Sequence, residues 1–135
     1  MRTIALVSLC GVAIALAATA FAADDDTGAR LYFNHCAACH GETGEGTGPV
    51  AASMRITMPN LRTLAQRNGG GFPRDAVVAY VDGRNVKAAH GDRQMPIWGD
   101  VFKGADPEAD DLTVRRRINA VVDFVSTLQY RGTGP

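Results

Sequence analysis

Charge of one sign is what this chain most lacks: its 135 residues carry 14 Lys and Arg against 14 Asp and Glu, and Lys87 and Lys103 are its only lysines. With the basic residues mostly arginine and scattered, neither a nucleic-acid surface nor a polybasic membrane contact is indicated. Alternating polar and apolar runs are missing as well, which leaves no convincing strand, and there is no internal repeat. Thiols are few, at Cys10, Cys36 and Cys39, and there is only one long apolar run.

That run, Ile4 to Ala18, follows Arg2 and precedes Ala20-Phe21-Ala22, a small-x-small cleavage pattern. Residues 1–22 are therefore expected to be a secretory signal peptide, delivering residues 23–135 to an oxidising, exported compartment. A membrane anchor is the competing reading of so long a run, but its alanine richness and the Asp24-Asp25-Asp26 triplet after it favour cleavage. Cys10 lies inside the run behind Leu9 rather than after it behind a small residue, so lipidation is not expected. Loss of Arg2 with the leader leaves 13 basic against 14 acidic residues, and no stable membrane insertion is expected afterwards. The remaining length, about 113 residues, suits one compact domain.

What the mature chain does contain is Cys36-Ala37-Ala38-Cys39-His40. C-x-x-C-H is the spacing of covalent haem attachment. On a helix the two cysteines stand at i and i+3 on one face, where their sulfurs can form thioethers to the two vinyl groups of one haem, and His40 then offers an imidazole to the iron. Other C-x-x-C chemistries make other demands. A redox dithiol wants a βαβ setting, whereas Leu31-Tyr32-Phe33-Asn34-His35 leads through the motif into glycines. Structural zinc wants four ligands; Cys10 leaves with the leader, and His35 and His90 make no second pair. In an oxidising compartment Cys36 and Cys39 would pair with each other unless haem takes them.

The apolar pattern is helical with Gly-rich connections. A first helix is expected from Thr27 to Cys39. A short second one starts at Asn60 as N-cap and stops at Asn68-Gly69-Gly70-Gly71; a third follows Pro73 and ends at Gly83, with Val77, Val78, Tyr80 and Val81 as its buried stripe. The longest begins around Asp106-Pro107 or at Thr113 and runs to Gln129, burying Val114, Ile118, Val121, Val125 and Leu128. Arg115-Arg116-Arg117 on it reads as a solvated face rather than a docking patch, because consecutive helical positions point in different directions.

A haem iron held by one histidine takes a sixth ligand if it is to pass electrons without binding small molecules, and a thioether also raises its reduction potential. Met54, Met58 and Met95 compete for that place, and both Met58 and Met95 precede a proline. Chain length excludes neither, since about 18 residues at roughly 3.3 Å each reach around a haem. His90, five residues before Met95, is a weaker alternative.

Taken whole, the mature chain resembles a small class I cytochrome c of the bacterial periplasm. The resemblance is carried by Gly28 and Tyr32-Phe33 ahead of the Cys36–Gly41 motif, by Gly46-Thr47-Gly48-Pro49, by Gln94-Met95-Pro96-Ile97-Trp98-Gly99 and by the final amphipathic helix. It implies the all-α cytochrome c fold, three to five helices wrapped around one covalently attached haem c, with His40 and Met95 as axial ligands. It also implies that the Pro49 carbonyl accepts a hydrogen bond from the far nitrogen of His40. The first and last helices would cross near Gly28, where a missing side chain lets Phe124 or a neighbour come close. Trp98 would stand in the haem wall or donate its indole N–H to a propionate. The lysine ring around the haem edge of mitochondrial-type members is missing, which argues against docking on a strongly acidic oxidase.

The expected function is a periplasmic one-electron carrier, not an enzyme, working between redox protein partners in the membrane or the periplasm. The alternatives are a dedicated cytochrome subunit of a dehydrogenase or oxidase complex, and a haem with an open sixth position that binds ligands or acts as a peroxidase. Met95, and the lack of recognisable distal catalytic machinery, stand against the last.

Overall fold

The structure, a computed structural model, describes residues 22–85, 94–106 and 108–130. The expected signal peptide up to Phe21, with Cys10, lies outside the described residues, as do Lys87 and His90. The α-helices are α1 (Ala22–His35), α2 (Ala37–His40), α3 (Leu64–Arg67), α4 (Arg74–Asp82), α5 (Trp98–Gly104) and α6 (Asp111–Thr127), with 3₁₀ turns at Ala51–Ser53 and Leu61–Thr63. Among the described residues there is no strand.

Helix α6 starts one turn later than Asp106, because Asp110 takes the cap: its carboxylate accepts the Thr113 N–H at 2.7 Å. From there Val114, Ile118, Val121, Val122 and Val125 are buried, each contributing about 1.5–3 kcal/mol if fully withdrawn from water. Leu128, expected in the stripe, is half-buried. Helix α1 crosses this face at Gly28. A Cβ there would overlap the Ala120 carbonyl oxygen and meet Phe124 Cβ at 3.4 Å, so the two backbones nearly touch. The Phe124 ring then packs on Tyr32 and Phe33, with centroids 5.1 and 6.0 Å apart.

The first helix is interrupted where it was expected to run on. Cys36 leaves helical pattern between α1 and α2, although its N–H still bonds Tyr32 O at 2.8 Å. The expected helix after Asn60 opens as a 3₁₀ turn, with the Asn60 side chain accepting the Arg62 N–H at 2.9 Å, and becomes α3 only at Leu64. Helix α4 ends at Gly83 in the left-handed conformation (φ 71°). Of its stripe Val81 is buried and Val77 and Val78 are half-buried, but Tyr80 is exposed. Helix α5 has no counterpart in the sequence reading.

The apolar side chains gather into two groups. One joins Val81, Phe102, Val114, Ile118 and Val122, with Met95 and Trp98 packed against it. The other joins Tyr32, Cys36, Ala37, Val121 and Val125, with Leu61 and Leu64 against it. The arginine run divides as helical geometry requires. Arg115 and Arg116 are exposed, while Arg117 reaches back to Phe102 O at 3.2 Å and Asp106 Oδ2 at 2.9 Å.

Candidate functional site

Side chains from both groups line a largely apolar cavity of about 420 Å³, within the range of cofactor sites. Cys36, Cys39 and His40 stand on its wall, and so do Met54, Met58 and Met95.

The C-x-x-C-H end is positioned by main-chain bonds. The Cys39 and His40 N–H groups both reach Cys36 O, at 3.1 and 2.9 Å, closing a single helical turn. The carbonyls left over at its end would ordinarily face water. Here the following loop takes them: Gly46 N–H bonds His40 O at 2.7 Å, Gly48 N–H bonds Cys39 O at 3.2 Å and Val50 N–H bonds Ala38 O at 3.0 Å. Glycine is required for this wrapping. Gly41 and Gly46 have φ of 80° and 81°, and a Cβ on Gly48 would run into the Ala37 and Ala38 carbonyls. The buried Tyr32 hydroxyl donates to Gly41 O at 2.7 Å, and burial raises its pKa well above the ordinary tyrosine value, so it stays a donor.

His40 is buried as a result, at 9 % exposure. Burial is the larger influence on its ring and pushes the pKa down, which keeps the imidazole neutral with a lone pair available to a metal. The opposing, smaller influence is the main chain of Pro59. Nδ1 is buried and has no hydrogen-bond partner among the described residues, so Pro59 acts as a polar neighbour without a formed hydrogen bond. The bond to the Pro49 carbonyl that the resemblance implies is not formed among the described residues, and Pro49, unlike Pro59, is off the cavity wall. The segment around Gly48 and Val50 is spent on capping the outside of α2, and the chain returns to the cavity only at Met58-Pro59.

The two thiols differ. Cys36 is buried, and burial, reinforced by Cys39, pushes it up to about 12; Cys39 is half-buried, and neither forms a disulfide. Among the described residues, no three His, Cys, Asp or Glu side chains gather as an ion-binding cluster.

The three methionines reach the cavity from different places. Met58 is 9 % exposed, and its carbonyl lies over Gly46, where a Cβ would meet it at 2.5 Å. Gly46 is also the residue bonded to His40 O, so the Met58 main chain passes close to the glycine that caps His40. Met95 instead packs with the group that contains Phe102 and Val81. Beside it, Trp98 lies on the cavity wall, its ring 5.3 Å from His35 and 5.8 Å from Phe102.

The Cytochrome c family model matches residues 26–129, which contain every one of these groups. The chain belongs to the cytochrome c family. Cytochromes of this family carry covalent haem c, and the site fits one such group: an apolar cavity, two free thiols three residues apart on its wall and a neutral, buried imidazole beside them. Domains of this family are typically extracytoplasmic, serve as electron carriers and work with redox partners. Among the described residues of this cytochrome, no helix is long and apolar enough to cross a membrane. No curated protein and no solved structure matches the chain. Sequence reasoning missed Ile56, an exposed apolar residue on the cavity wall whose isolated position gives no periodic signal, and it expected Tyr80 in a buried stripe where the structure puts it, exposed, on the same wall.

Proposed function

We propose that this cytochrome is a periplasmic one-electron carrier in which Cys36 and Cys39 hold haem c as thioethers and His40 and Met95 ligate its iron. The observation that carries the choice of methionine is Gly46. The Met58 main chain passes close over that glycine, whose N–H holds His40 O, which supports placing Met58 beside His40, whereas Met95 packs with the group that contains Phe102 and Val81.

Bound there, the haem supplies a one-electron ferric–ferrous couple. The chain's own residues set its conditions. Neutral His40 gives a nitrogen lone pair, and a ring proton directed at the Pro59 carbonyl would fix the tautomer and enrich the ligand in electrons. The Met95 thioether, a softer donor, and the apolar lining both disfavour the more highly charged oxidised state and so raise the potential. Trp98 stacks as wall, excluding water beside Met95. With His40 and Met95 both holding the iron, no place would be left there for a substrate, and the bound group would supply electron transfer without bond chemistry.

Visible spectra of the haem-loaded protein in both oxidation states, with and without carbon monoxide, test this. Low-spin spectra indifferent to carbon monoxide, with a sulfur-to-iron band lost in Met95→Ala and kept in Met58→Ala, are expected. Carbon monoxide binding by the wild type, or loss of the band in Met58→Ala alone, would overturn the assignment.

A further inference from the structure

We propose that the Asp82–Arg84 ion pair, packed against Gly99, is the positioning element that keeps the Met95 thioether on the iron; the inference rests on Met95 being the sixth ligand. Asp82 is the last residue of α4, and the left-handed turn at Gly83 folds Arg84 back onto it. The pair is bidentate, with Arg84 Nε on Asp82 Oδ1 at 2.6 Å and Nη2 on Oδ2 at 2.9 Å. The third guanidinium nitrogen reaches Asp111 Oδ1, in the first turn of α6, at 3.3 Å, and Lys103 of α5 meets the same oxygen at 3.1 Å. One guanidinium thus joins the end of α4 to the start of α6, and Lys103 adds α5.

The contact that turns this network toward the cavity is Gly99. It is buried in the first turn of α5, and a Cβ there would overlap both Asp82 Oδ1 and Arg84 Nε. Alanine is the better helix former at such a position, so the glycine marks a place kept open for the ion pair. Gly99 follows Met95 by four residues, and Pro96 and Trp98 lie between. Proline restricts the backbone at Pro96, and Trp98 is held on the rings of His35 and Phe102, so the seating of Gly99 is passed to Met95 through a short, stiff segment. Val81, next to Asp82, belongs to the group of core residues on which Met95 packs, so the pair braces the thioether from two directions. Asp82 and Arg84 side chains are 18 % and 23 % exposed, while the comparable Arg74–Asp123 pair between α4 and α6 is 44 % and 61 % exposed and extends to Asn119 of α6.

The test uses haem-loaded wild type, Arg84→Gln, Asp82→Asn, Gly99→Ala, the Arg84→Gln/Gly99→Ala double variant and Arg74→Gln as control. Urea titrations follow the sulfur-to-iron band and the far-ultraviolet ellipticity side by side, and carbon monoxide binding is measured on the reduced proteins. In Arg84→Gln, Asp82→Asn and Gly99→Ala the band is expected to vanish at lower urea than the helices, with apparent carbon monoxide affinity up about tenfold as the open state becomes more populated. Gly99→Ala adds little in the Arg84→Gln background, because an Asp82 carboxylate no longer held by the guanidinium can turn away from the added methyl. Arg74→Gln leaves the separation of the two transitions as in the wild type. Band and ellipticity shifting together in the ion-pair variants, or additive effects of Arg84→Gln and Gly99→Ala, would overturn the clamp alone. A wild type without the band would overturn the Met95 assignment and the clamp with it. Should Arg84→Gln fail to accumulate, Asp82→Asn, nearly isosteric, decides.

Discussion

On the His40 side of the cavity the closing contacts are made by main chain: Gly46, Gly48 and Val50 N–H groups on the carbonyls of α2, with glycines where any Cβ would collide. On the Met95 side they are made by side chains, Asp82 and Arg84 on Gly99, and Lys103 on Asp111. A wall of backbone hydrogen bonds is indifferent to salt and to most surface substitutions but intolerant of one added methyl. A wall clamped by charges behaves in the opposite way, and His40 is therefore held more firmly than Met95.

The largest break of this contrast is Gly46→Ala. It imposes φ of 81° on a residue with a side chain and drives Cβ into the Met58 carbonyl, so a loss of about 3 kcal/mol is expected, read as a lower urea midpoint and a poor yield of haem-loaded protein. Tyr32→Phe comes next. It strips the buried Gly41 carbonyl of its donor at a cost of about 1–3 kcal/mol in urea unfolding, while the sulfur-to-iron band persists in the folded protein.

On the charged side the effects are smaller and depend on conditions. Arg84 holds the Asp82 carboxyl below the ordinary aspartate range, so the pair's stabilisation is complete above about pH 4 and is lost as pH falls through the depressed value. The stability difference between wild type and Asp82→Asn should accordingly be constant from about pH 5 to 8 and shrink in acid. Raising ionic strength from about 0.01 to 1 M, which shortens the screening length from about 30 to 3 Å, should weaken the band's resistance to urea and leave the Tyr32→Phe penalty unchanged. Arg74→Gln, at an exposed pair, should shift unfolding by no more than about 0.5 kcal/mol.

The meeting of Cys36, Cys39 and His40 on one cavity wall was legible in the sequence because they fall within five consecutive residues, and one helical turn suffices to bring them together. Helix α6 was legible through its repeat of buried Val and Ile, and the close crossing at Gly28 came with the family resemblance. Three features were not. Helix α5 is seven residues long, too short for a period to emerge from Trp98, Val101 and Phe102. Which proline faces His40 depends on where the chain turns back after capping α2, a matter settled by the Gly46 and Gly48 contacts rather than by spacing. The meeting of Asp82 and Arg84 with Gly99 spans sequence separations that no local pattern records, and neither charged residue stands out in a chain of evenly mixed charge.

The near-contact of backbones at Gly28 and Ala120 also bears on how this protein is born. The two elements that meet there lie at opposite ends of the described chain, so the contact requires closing a loop of nearly the whole domain before any reward is collected, which makes it a slow, non-local event. During synthesis α1 emerges first and has no partner for its Gly28 face until the last helix has left the ribosome. The aromatic surface of Tyr32 and Phe33, on which Phe124 packs in the finished fold, stays unmatched for that interval, so a chain truncated before Asp110 should be a substrate for chaperones and proteases rather than a smaller version of the fold.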